Sequence, residues 1–260
     1  MTYVQDIFSV LSGNAVGFVL GLVGGGGSIL AVPLMVYAVG VASTHVAIGT
    51  SAVAVAASAA TNLVGHTRAG TVKWPCALVF ALAGIVGAAG GAELGKLVDG
   101  QRLLALFGAL MIAIGVLMLR PRRSTDNAEV RLDRTSARRL LPLLIGFGLV
   151  VGALSGFFGI GGGFLIVPGL VAATGMPLIN AIGSSLLSVT AFGLATAASY
   201  SFSGLVDWRI AGLFVLGGAL GSLVGIALGR KLAGHKRTLT LMFSGIVIAV
   251  GSYLLTATLR

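Results

Sequence analysis

The chain has 260 residues, of which 57% are hydrophobic and 9% charged, with a mean hydropathy of +1.05. A soluble domain carries about 25% charged residues, so this chain cannot clothe its surface in water and its natural solvent is a bilayer. The net charge of +10 sits in short loops rather than on one face, which argues against a nucleic-acid partner and marks topology instead; the lone Cys76 excludes an internal disulfide and has no metal-ligand company.

In chain order, apolar runs fall at 7–23, 28–40, 44–65, 74–93, 103–119, 140–158, 163–175, 177–202, 210–229 and 238–258. The opening MTYVQD lacks a basic n-region, so the first run is expected to be retained. Most runs reach the roughly 20 residues a helix needs to cross the hydrocarbon core. Runs 28–40 and 163–175 do not, and each follows a glycine tract. They read as half-helices or re-entrant segments. The only sustained polar stretch, 120–139, holds seven arginines and reads as a connector. The expected division is a first membrane repeat at 1–119, a cytoplasmic basic linker at 120–139 and a second membrane repeat at 140–260.

The repeats are visible by eye. GLVGGGGSILAVP at 21–33 recurs as GFFGIGGGFLIVP at 156–168, an offset of 135. Ala47-Ile48-Gly49-Thr50-Ser51 recurs as Ala181-Ile182-Gly183-Ser184-Ser185, and Gly70 to Trp74 as Gly204 to Trp208, at an offset of 134. A duplicated apolar half, interrupted by glycine at matching positions, points to a transporter with its site at the interruptions. Basic residues then choose the topology. If each short segment pairs with the preceding run and returns to the same side, the halves are inverted, with 13 basic residues inside and four outside. If each glycine-containing stretch is one long span, the halves are parallel and the count is 11 against six. The positive-inside rule favours inversion.

Candidate ligand groups follow from the interruptions. Gly25, Gly26, Gly27 and Ser28, with Gly161, Gly162 and Gly163, lie where the chain must reverse. Glycine permits that reversal, and non-helical backbone at membrane depth is tolerated when it is buried or lines a wet cavity. The short helices would aim their N-terminal amides at an anion; tight packing without a ligand is the competing reading. Polar stripes supply the hydroxyls. Thr44, Ser51, Ser58 and Asn62 share one helical face, as do Ser185, Ser188, Thr196 and Ser199, although such groups also bond back within membrane helices. Thr50, Ser51, Ser184 and Ser185 are the chief side-chain candidates for substrate binding, with Asn62 and Asn180 as weaker ones. Ala83, Gly87, Gly91 and Gly95 match Gly217, Gly221, Gly225 and Gly229, a small-residue row that serves helix packing. His45, His66 and Glu93 are candidate proton-coupling groups at helix ends. No catalytic constellation, nucleotide loop or metal motif is present.

At its glycine tracts with the following prolines, Pro33 and Pro168, and at AIGTS and AIGSS, the sequence resembles the TauE/SafE family of sulfite-exporter-like permeases. The resemblance extends over nearly the whole chain, with one departure, Ser28 in place of the last tract glycine. It implies a prokaryotic cytoplasmic-membrane, multi-pass transporter of sulfur-containing anions such as sulfite, sulfonates or related organic acids. The expected fold is therefore all-α and polytopic, with two inverted repeats and glycine-interrupted short helices, giving about eight full spans or ten helical segments. The expected function is secondary transport of a small anion by alternating access, in the export direction, with the anion and the lipid bilayer as partners and no cofactor. A passive anion channel, or a membrane subunit supplying sulfur compounds to an enzyme, is the alternative.

Overall fold

The computed structural model describes residues 3–23, 25–119, 134–159, 163–231 and 236–258. Among them there are ten helical segments and no strand. α1 spans Tyr3–Val23. α2 is a composite: a 3-10 turn Gly25–Leu30, a single α turn Ala31–Pro33 and a π-type turn Leu34–Ala38. Then come α3 (Thr44–Arg68), α4 (Trp74–Leu97), α5 (Gly100–Leu119), α6 (Arg134–Phe158), α7 (Gly163–Thr174), α8 (Leu178–Phe202), α9 (Trp208–Lys231) and α10 (Lys236–Thr258). Seven helices are long and apolar enough to cross a membrane, while α2 and α7 stay short. The chain is thus all-α and polytopic.

Local chemistry sets several boundaries. Ser43 caps α3 by accepting from the Val46 N–H. Pro75 sits in the first turn of α4, where a missing N–H costs nothing. Pro33 cannot donate to the carbonyl four residues back, and the helix widens just beyond it into the π-type turn. α4 runs on past the apolar segment to Leu97 because Glu93 and Lys96 pair one turn apart, at 2.7 Å. α6 begins at Arg134, so the last six residues of the expected linker are helical; residues 120–133 lie outside the described residues.

Packing crosses the repeat boundary. α1 lies along α9 and α6 along α4. Both pairs are parallel. Gly13, Gly17 and Gly21 of α1 face Phe214, Gly218 and Ser222 of α9; Gly148, Gly152 and Gly156 of α6 face Phe80, Gly84 and Ala88. A Cβ at Gly17, Gly91, Gly152 or Gly221 would fall on the carbonyl of the facing helix. Small residues are what let these backbones touch. The central helices α3 and α8 are the most buried and run antiparallel, since Gly49 meets Tyr200 while Gly193 meets Ala52 and Ala56. α5 and α10 are also antiparallel, with Gly108 on Gly251 and Gly115 on Ile248.

Directions follow from these registers. α1, α3 and α9 point one way, and α4, α6 and α8 the other. α2 therefore carries the chain back between α1 and α3, as α7 does between α6 and α8. One end of the bundle gathers Arg68, Lys73, both helix termini that flank 120–133, and the α9–α10 connection. The opposite end carries Lys96, Arg102 and Arg209.

Candidate functional site

The two glycine turns occupy different heights. Gly25, Gly26, Gly27 and Ser28 form the 3-10 turn that opens α2. Gly27 abuts the backbone of Val19 and Leu20 in the last turns of α1, and Ser28 is buried. In the second repeat Gly159 has φ +65° and abuts Ile48, near the start of α3, and Gly163 opens α7 as a buried residue. Gly161 and Gly162 lie outside the described residues. Since α1 and α3 are parallel, the register separates the turns by roughly 15–20 Å at 1.5 Å per residue. The contacts of Gly27 with α1 and of Gly159 with α3 thus lie on either side of the bundle's middle. Equivalent positions near the starts of two antiparallel helices must fall at opposite ends. α7 nevertheless packs on the Gly25–Leu30 turn, so the two short helices are neighbours.

AIGTS and AIGSS form the same structure twice. Gly49 on α3 receives the Leu205 carbonyl, and the next residue, Thr50, accepts a hydrogen bond from the Asp207 N–H at 3.0 Å. Gly183 on α8 receives Thr71, and Ser184 accepts from the Lys73 N–H at 2.9 Å. Each hydroxyl thus holds the entry of α9 or α4 from the opposite repeat. Both keep their own proton for another acceptor. Ser51 and Ser185 instead donate back to Ile48 and Ile182 at 2.9 and 2.8 Å, and Ser51 also lies 3.5 Å from the Gly159 carbonyl.

Asn62 is buried on α3 and donates to Ser222 of α9 at 3.2 Å, while Ser222 donates to the Gly17 carbonyl. Its Oδ1 has no partner. Asn180 stands in the first turn of α8, half-buried. Five buried hydroxyls among the described residues, those of Ser155, Ser188, Thr196, Tyr200 and Ser244, have no partner. An unpaired polar group in a dry interior costs about 1–3 kcal/mol, which marks each of the five as a candidate contact for water or ligand. Ser188 and Thr196 belong to the second polar stripe. Ser155 carries no repeat signal, because the equivalent position 135 residues earlier is Leu20; its closeness to the glycine tract was the clue available.

The ionisable candidates all stand at helix ends. His45 is half-buried in the first turn of α3, with an unpartnered Nδ1. His66 lies in the last turn, its Nδ1 2.9 Å from Thr71 Oγ1. Glu93 is exposed; it pairs with Lys96 and accepts from Ser199 at 2.8 Å. None of Arg68, Lys73, Lys96, Arg102, Arg138, Arg139 and Arg209 is buried. A cleft of about 780 Å³ opens between α1, α3 and α9, lined by Val53, Trp208 and Gly212 and rimmed by the Arg209–Asp6 ion pair at 2.6 Å.

The chain is similar in sequence to known proteins. The sequence model of the family described as Sulfite exporter TauE/SafE matches residues 9–254. A Probable membrane transporter protein of Xylella fastidiosa (strain 9a5c) is 51% identical over 255 residues, 98% of this chain and 97% of that one. The Probable membrane transporter protein YunE of Bacillus subtilis (strain 168) is 28% identical over 268 residues, covering 96% and 97%. The Sulfite exporter TauE/SafE family protein 1 of Arabidopsis thaliana is 33% identical over 133 residues, 50% of this chain and 29% of that one. No solved structure matches the chain. With its bilayer-spanning helices, its duplicated glycine turns and a family match over nearly its whole length, the chain belongs to the TauE/SafE sulfite exporter family of membrane transporters.

Proposed function

We propose that the protein is a secondary exporter of small sulfur-containing anions, such as sulfite, sulfonates or related organic acids, working by alternating access in a prokaryotic cytoplasmic membrane. The observation that carries this is the set of buried hydroxyls along and beside α3 and α8, with those of Ser155, Ser188, Thr196 and Tyr200 unpartnered, while Arg68, Lys73, Lys96, Arg102, Arg138, Arg139 and Arg209 all stay outside the buried core. Hydroxyl and amide donors replace part of an oxyanion's hydration shell; without a fixed positive charge they also let it go. Ser155, Ser188 and Thr196 supply free donors, and Thr50 and Ser184 each retain a proton. In this reading the amides at Gly25, Gly26, Gly27 and Ser28 and at Gly163 add further donors, and Gly161 and Gly162, outside the described residues, belong to the same expectation. Ser51 and Ser185 join on rotating their hydroxyls, with Asn62 and Asn180 in peripheral roles.

The repeats are inverted in this reading, which the antiparallel packing of the equivalent pairs α3/α8 and α5/α10 supports. The end bearing Arg68, Lys73 and the α9–α10 connection faces the cytoplasm. Proton coupling would use His45, His66 or Glu93, the ionisable groups at the ends of α3 and α4.

Counterflow in proteoliposomes tests the function, with sulfite, thiosulfate, sulfate, sulfonates and carboxylates as trans substrates. We expect a sulfur oxyanion to drive uphill exchange, which a passive channel cannot do. Ser155→Ala and Ser188→Ala should each weaken that anion's apparent affinity about fivefold, the worth of one hydrogen bond, with thermal stability retained because each variant removes an unpaired buried group. Downhill flux alone would reduce the protein to a channel.

A further inference from the structure

We infer that Thr50 and Ser184 are gate-holding residues, each closing one end of the anion path; this rests on the alternating-access reading above. The close-packed pairs α1/α9 and α4/α6 are bound backbone to backbone by glycine, so each pair moves as one body. Their contacts with the central pair, α9 on α3 and α4 on α8, are less extensive. These lesser seams are where the bundle can part. At the far end from the basic loops, the Thr50 hydroxyl holds the Asp207 amide, the first residue of the α9 entry. Asp207 in turn caps α9 by accepting from the Ile210 N–H at 3.0 Å. At the basic end Ser184 holds the Lys73 amide at the entry of α4. The same bond, made by equivalent residues, thus guards opposite ends of two equivalent seams.

Two further observations agree. The cleft between α1, α3 and α9 reaches Val53, one helical turn from Thr50, so the groove along this seam comes close to the Thr50 contact. Gly49 and Gly183 have no room for a Cβ against Leu205 and Thr71, which keeps each loop within reach of the neighbouring hydroxyl. Releasing a contact frees one entry amide, which water then satisfies as the seam parts.

The test is sided labelling in a Cys76→Ser background, read in intact cells and in inside-out vesicles with a membrane-impermeant thiol reagent. Ser58→Cys reports the α3/α9 seam, where Ser58 abuts Gly218; Ser188→Cys reports the interior face of α8. Thr50→Val should raise labelling at 58 from the outside about fivefold, the population shift from losing one hydrogen bond. Ser184→Ala should raise labelling at 188 from the cytoplasmic side by a similar factor. Thr50→Ser, which keeps the hydroxyl, should label as the parent does. If Thr50→Val does not fold, Gly49→Ala breaks the same contact by displacing Leu205. Opposite sidedness is required, because a hydroxyl that only stabilises the fold would loosen both ends alike. Labelling that rises equally from both sides, or not at all, overturns the proposal. Counterflow on the same proteins separates the two readings: a parent that exchanges no anion refutes alternating access and leaves the labelling result to stand by itself.

Discussion

At the scale of single residues, Gly159 combines two constraints that are usually met apart. Its φ of +65° lies in the left-handed region, and a Cβ there would meet Ile48. Gly204 has nearly the same φ, +69°, with open space around it. Alanine at Gly204 therefore carries only the backbone cost, about 1–2 kcal/mol. At Gly159 it adds overpacking of about 1–3 kcal/mol. Thermal unfolding in detergent should rank Gly159→Ala well below Gly204→Ala, and Ile48→Ala should recover part of the difference in the double variant. Equal losses would mean that Ile48 yields freely. Residue roles were the least legible part of the sequence. Thr50 and Ser184 recur in a repeat rich in hydroxyls, so they read as ligands. Their amide partners lie in the opposite repeat, at Asp207 and Lys73, and pairing between repeats leaves no mark in a linear pattern. Ser155 escaped notice for the complementary reason: it has no counterpart.

At the scale of helices, hydropathy located every segment, because each run of apolar residues had only a bilayer or the core to enter. The ends moved where polar residues extend a helix, as Glu93 and Lys96 do in α4 and Arg138 and Arg139 do in α6. The glycine rows were readable as packing surfaces from their spacing, but not their partners. α4 shows how sharply that surface is drawn. Gly90 faces open space, whereas a side chain at Gly91 would strike the Ala153 carbonyl of α6. Leucine at 90 should leave the yield of monodisperse protein unchanged in size-exclusion chromatography, and leucine at 91 should abolish most of it. Equal tolerance at both positions would show that the α4/α6 pair is looser than its backbone contacts imply.

At the scale of the molecule, charge and register agree. The positive-inside count separated 13 basic residues from four, and the helix directions bring Arg68, Lys73 and the α9–α10 connection to one end. In a Cys76→Ser background, cysteine at Ser203 should label from outside intact cells. Cysteine at Ala69 should label only after the membrane is opened; both positions are exposed at loop ends. Labelling at 69 from outside would invert the whole assignment. The sequence could reveal that two halves exist. It could not reveal that they interlock, because duplication records ancestry and says nothing of which surfaces meet.

That interlocking bears on how the chain is made. The most extensive helix contacts all join one repeat to the other, and α1 finds its long partner only when α9 has emerged, eight helices later. Until then α1, whose mean hydropathy of 1.3 is the lowest among the candidate spans, must sit in lipid with its glycine row uncovered. The nascent protein is therefore a loose set of inserted helices for most of its synthesis, open to membrane proteases and closed only by its last quarter. Cutting the chain within 120–133 should matter little by comparison. Fragments 1–126 and 127–260, produced together, should assemble into a protease-resistant transporter, while either fragment alone should be degraded in a pulse-chase experiment. A first fragment that persists unaided would mean that α1 has found another cover, and that the repeats complete themselves before they meet.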